Sequence, residues 1–167
     1  MAGEAEMVKA LQDTVKWAGE LVTKGKPNAS LPSQMANAVP KVDDWQTLSG
    51  AQGPNVLKLT WGVPGVFYGM NVDIVMNLNW DYGARYKGGG AFITNCWVTV
   101  PTCEVEWGFD VDIRFSAQAP ENREQDDSKP TLAGLPVSVI ATISNTLVNH
   151  NHTWSFILLG DGNWTQI

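Results

Sequence analysis

The sequence predicts a mostly β protein: an antiparallel β-sandwich of six to seven strands preceded by one N-terminal amphipathic α-helix, with a closed β-barrel as the alternative. Three observations carry the prediction. Residues beyond the early fifties alternate apolar and polar with period two. Turn signals separate these alternating runs at hairpin-like spacing. The one convincing helical periodicity lies near the start of the chain.

That helix is expected over residues 4–24. On a 100° wheel Val8, Leu11, Val15, Trp17, Leu21 and Val22 share one half, and Lys9, Asp13, Lys16 and Glu20 occupy the other. Gly25 and Pro27 form the stop signal. Residues 26–54, rich in Pro, Asn, Ser and Gly, read as an irregular connection, and 55–167 as the β-sandwich. Within it "NVLKLTW" is a first strand. In "NVDIVMNLNWDY" the apolar phase is Val72, Ile74, Met76, Leu78 and Trp80. "AFITNCWVTV" is less polarised, as for a strand covered on both sides. "CEVEWGFDVDIRFS", Cys103 to Ser116, has apolar residues at every second position from Val105 to Phe115 and reads as one strand. Residues 117–134 lack any pattern and read as a mobile loop. "LPVSVIATISNTLV" and "TWSFILLG" follow as a hairpin joined by "NHNH", and "GDGN" turns the chain into "WTQI".

Composition narrows the function classes. A chain of 167 residues is most simply one domain, 1–167, able to bury a real core. The formal net charge of -6 argues against nucleic-acid partners and anionic membranes, both of which demand clustered Lys and Arg. It leaves neutral lipid head groups, glycans and proteins. No apolar run is long enough to span a bilayer, and the first residues lack the basic and apolar regions of a secretory signal. The chain therefore reads as soluble. Three routes stay open for its location: cytosolic, released by an unconventional route, or a mature form given a new start methionine.

No motif declares an enzyme. There is no GxSxG, HExxH, P-loop or GxGxxG followed by an acid, so no catalytic residues and no cofactor are assigned. The acids of the strand at 71–81 and those of 104–112 read as solvated sheet faces and not as a calcium site, so no metal is assigned. His150 and His152 read as turn residues without a role. Cys96 and Cys103 flank "WVTVPT", so that a disulfide across a hairpin and a pair of buried thiols both stay open. The eight tryptophans stand well above expectation for this length. Trp80, Tyr82, Arg85 and Tyr86 fall at a strand end and into a glycine-rich loop. Aromatics with polar tips in such a place suit a lipid head group or a sugar.

A detachable amphipathic helix, a β-sandwich and the "WDY" cluster together resemble the layout of actinoporin-type pore formers. The acidic balance and the two cysteines depart from the basic, cysteine-free pattern of that family. The resemblance implies a non-enzymatic module that engages lipid or glycan, acts as a cytolysin and carries a pore-forming helix. The competing expectation is a structural or self-assembly protein that forms homo-oligomers through its sheet and helix faces.

Overall fold

The structure, a computed structural model, describes residues 29–30, 35–40, 48–64, 71–105 and 109–167. The expected helix at 4–24 lies outside the described residues, and with it Val8, Leu11, Val15, Trp17, Leu21 and Val22. The described chain forms β1 (Ala29–Ser30), β2 (Ala36–Ala38), β3 (Leu48–Ser49), β4 (Gln52–Pro64), β5 (Asn71–Tyr82) and β6 (Ala84–Tyr86). It continues with β7 (Gly89–Glu104), β8 (Asp110–Ala117), β9 (Glu121–Asn122), β10 (Ala133–Ser144), β11 (Asn149–Leu159) and β12 (Trp164–Gln166).

Two six-stranded sheets result. One runs β1-β8-β10-β11-β12, with β9 beside β10. The other runs β3-β6-β7-β5-β4, with β2 beside β7. Pairing is antiparallel throughout except for β1 on β8. Among the described residues neither sheet closes on itself, so the barrel alternative is corrected. Period-two burial explains the pairing. Ile74, Met76, Leu78 and Trp80 of β5 and Leu135, Val137, Val139, Ala141 and Ile143 of β10 are buried and belong to one apolar core that draws on both sheets. Each of the Val, Leu, Ile and Met side chains contributes about 1.5–3 kcal/mol relative to exposure, and a one-residue slip of register would forfeit the whole set.

Several boundaries differ from expectation. Cys103 to Ser116 is not one strand: Cys103 and Glu104 end β7 in one sheet, and Asp110 begins β8 in the other. The alternation survives the crossing because both halves turn the same phase toward one core, burying Val105, Phe109, Val111, Ile113 and Phe115. "NHNH" is not the hairpin turn. It opens β11, and the turn is Asn145–Val148, where Asn145 Oδ1 accepts from Leu147 N and Val148 N, each at 2.8 Å. Inside the stretch 26–54 lie the short strands β1, β2 and β3 and the start of β4. The segment 117–134 holds β9 and several local bonds: Arg123 N donates to Leu132 O at 2.8 Å, and Asn122 Oδ1 accepts from Leu132 N at 3.2 Å.

At one corner backbone groups join the sheets. Gly83 N donates to Gly160 O at 2.7 Å and Ala91 N to Thr131 O at 2.9 Å, while Gly160 N continues the β10–β11 ladder by donating to Ala133 O at 2.8 Å. The approach is close enough that a Cβ on Gly160 would lie 2.0 Å from the carbonyl oxygen of Ala91.

The disulfide expectation is also corrected. Cys96 and Cys103 are buried on one continuous strand, β7, opposite Trp80 and Ile74 respectively. Seven steps of extended chain separate them by roughly 23 Å. Bridged cysteines have their Cα atoms less than about 7 Å apart. No helix among the described residues is long and apolar enough to cross a membrane.

Candidate functional site

The aromatic cluster expected at 80–86 comes apart in the fold. Trp80 is 1% exposed and sits in the core on the phase of Ile74 and Leu78. Tyr82 and Tyr86 are partly buried and pack against the same core. The ring of Tyr82 is held by the turn before β12, where a Cβ on Gly162 would meet it at 2.8 Å. Asn55 Nδ2 fastens that turn by donating to Gly162 O at 2.7 Å. Arg85 is exposed, and Lys87 Nζ lies 5.2 Å from the Tyr86 ring centroid. Trp80 is therefore corrected from ligand-binding to core. Tyr86, Arg85 and the neighbouring Lys87 remain together at the hairpin end.

A different aromatic group does reach the surface. Trp61 lies on the inner phase of β4 with Leu57 and Leu59. His152 and Trp154 lie on the inner phase of β11, paired with Ala141 and Val139. The rings meet where the space between the sheets opens to solvent. The Trp61–Trp154 centroids are 6.3 Å apart at 82°, His152–Trp154 4.3 Å apart at 69°, and Trp61–His152 5.9 Å apart at 30°. Trp154 is buried, Trp61 half-buried and His152 exposed, so the group forms a stepped apolar seam rising to the surface. His150 continues it on the same phase of β11, paired with Ile143. Near the other end of β11, Phe156 and Trp164 make a further edge contact at 5.5 Å and 88°.

The backbone on either side of the seam is open. β12 pairs with β11 only from Phe156 to Leu158, and among the described residues no strand pairs with β4 opposite β5. Aromatic faces flanked by imidazoles and free backbone donors and acceptors can stack on an apolar ring face and bond the hydroxyls around it. A caged quaternary ammonium fits less well. It needs rings turned toward a shared space, and here the rings fill that space with one another.

The sequence carried a usable signal for this seam. The alternation Leu158, Phe156, Trp154 extends backward without a break to His152 and His150. Reading "NHNH" as a turn concealed it.

The acids do not gather. Asp73 and Glu104 face each other across β5 and β7 and are exposed, while Asp110 and Asp112 belong to the other sheet, where Asp112 pairs with Arg114. Among the described residues no group of three or more His, Cys, Asp or Glu is placed to hold a metal ion. On the outer face of β5 and β7, Asp81 is 5% exposed and accepts from Asn95 Nδ2 at 3.0 Å. Beside it Asn79 Nδ2 donates to Asn77 O at 2.9 Å and to Thr99 Oγ1 at 3.3 Å. Burial, and secondarily the charge of Asp81, push the Cys96 thiol far up, so this cysteine is a poor nucleophile. A cavity of about 360 Å³ opens between β2 and β8, lined by Met35, Asn37, Phe115, Gln118 and Leu135, with no titratable side chain among its walls.

No protein-family model, no curated protein and no solved structure matches the chain.

Proposed function

We propose that the chain is a non-enzymatic β-sandwich binding module, with the amphipathic segment 4–24 as a helix beside the two sheets, and that it binds glycans at the seam of Trp61, His152 and Trp154. The observation that carries this reading is the three-ring contact at the mouth of the inter-sheet core, bordered by two open strand edges. Neutral sugars match its chemistry. Their ring C–H faces take the indole and imidazole surfaces, and their hydroxyls take His150, His152 and the backbone of the free half of β11. A net charge of -6 disfavours acidic glycans and leaves neutral ones. A lipid-surface reading would call for a gathered apolar patch. Among the described residues the exposed large apolar side chains are instead scattered, at Met35, Val56, Leu147, Trp164 and Ile167.

Calorimetric titration of the full chain with neutral oligosaccharides tests the proposal. Saturable binding is expected, and Trp61→Ala should weaken it about tenfold or more, the loss of one stacking partner. Absence of binding, together with leakage of dye from neutral-lipid vesicles that depends on residues 1–25, would replace this reading with the pore-forming one.

A further inference from the structure

The two sheets have four outer edges. Three carry a short covering strand: β2 on β7, β1 on β8 and β12 on β11. The fourth is β4, Gln52–Pro64, and among the described residues nothing pairs with its outer side. This bare edge is long, and the residues of its outer phase are exposed: Val56 is 54% exposed, and Lys58, Thr60 and Gly62 are exposed with it. In an antiparallel strand every second residue turns its N–H and C=O away from the existing partner, so this edge offers a regular row of unsatisfied donors and acceptors.

Proteins ordinarily blunt such an edge with charge, proline, bulges or brevity. Here the bulge and Pro54 sit at the beginning, between Gln52 and Asn55, and the stretch from Asn55 to Val63 pairs with β5 in unbroken register. Lys58 is the only charged residue in β4. The strand is thus a local exception on a chain of net charge -6: it has no acid, and two copies meeting here bring no carboxylates together.

We propose that β4 is an assembly edge that pairs antiparallel with β4 of a second copy of this chain about a two-fold axis. Self-pairing suits the strand. A centre at Leu59 sets Lys58 opposite Thr60 of the other copy and Val56 opposite Gly62. A centre at Thr60 sets Lys58 opposite Gly62. Neither register opposes one lysine to the other, and both cover Val56. The inner phase then brings Trp61 of one copy beside Leu57 or Leu59 of the next. The joined molecules share one continuous sheet, which is the isologous contact a two-fold dimer requires. The inference does not rest on the glycan reading: pairing here takes up the β4 edge beside Trp61 and leaves the seam the open edge of β11.

Light scattering after size exclusion of the full chain in plain buffer is expected to give twice the monomer mass, with dissociation on dilution. The double variant Val56→Lys/Thr60→Lys sets like charges across the joint. It should raise the dissociation constant at least about 100-fold, with the far-UV circular dichroism unchanged. Should that variant fail to fold, hydrogen exchange of the unaltered chain decides: alternate amides from Asn55 to Val63 should become slower to exchange as protein concentration rises. A monomer at every concentration, a dimer indifferent to the double substitution, or exchange in β4 independent of concentration would each overturn the proposal.

Discussion

Gly160 has no room for one more carbon. A Cβ there would stand 2.0 Å from Ala91 O and 2.4 Å from Ala91 C, both backbone atoms of the facing sheet. A rotamer change cannot relieve such a clash, because the backbone hydrogen bonds at the same corner fix the approach. Gly160→Ala is therefore expected to cost about 3 kcal/mol or more, the upper range of overpacking, read as a lower urea midpoint at unchanged slope. Cys96 supports a second expectation. Burial holds its proton in the folded chain more tightly than in the unfolded one. Its contribution to stability is full below the unfolded thiol pKa, near about 8.5. It is lost as pH rises beyond that value, since the unfolded chain then releases a proton that the folded chain keeps. The limiting slope is about 1.4 kcal/mol per pH unit. Urea titrations in alkaline buffers should show this decline, and Cys96→Ala should flatten it. Two cues for Trp80 conflicted. Its phase, shared with Ile74, Met76 and Leu78, pointed to the core, while its neighbours Tyr82 and Tyr86 suggested a surface cluster. Phase prevailed, because a strand's side-chain direction is set by pleat and not by the chemistry of adjacent residues.

At the scale of elements, alternation located the long strands well. β5 coincides with the predicted "NVDIVMNLNWDY", and β10 and β11 were expected as a hairpin. The ends were harder to read. β7 extends past the predicted "AFITNCWVTV" to Glu104 because Pro101 falls at a register shift, where a missing N–H is tolerated. The crossing from β7 to β8 was hidden for a specific reason. Alternation records which phase faces the core, and it is blind to which of two facing sheets a strand belongs to. The short strands β1, β2 and β3 left no periodic trace, since two or three residues are too few to show one. The glycan seam was unreadable as a unit for a related reason: Trp61 and His152 belong to different sheets and are far apart in sequence, and only the facing of β4 and β11 unites them.

Across the whole molecule, one core shared by two sheets implies one cooperative transition. Leu78 is fully buried within that core, with β4 and β7 as the neighbours of its strand. Leu78→Ala is expected to cost about 2–5 kcal/mol and to move the unfolding curves from circular dichroism and from tryptophan emission together. Separate shifts would mean that the sheets unfold independently. Two of the buried indoles extend this picture. Trp80 Nε1 and Trp97 Nε1 are sealed from water and have no hydrogen-bond partner among the described residues. Trp80 points inward from β5, while Trp97, on β7 opposite Asn79, points to the outer face. Their ring protons thus form a natural pair of spectroscopic sentinels. Each should resonate at unusually high field and exchange slowly with deuterium, one reporting on the interior and the other on whatever shelters the far side of the sheet.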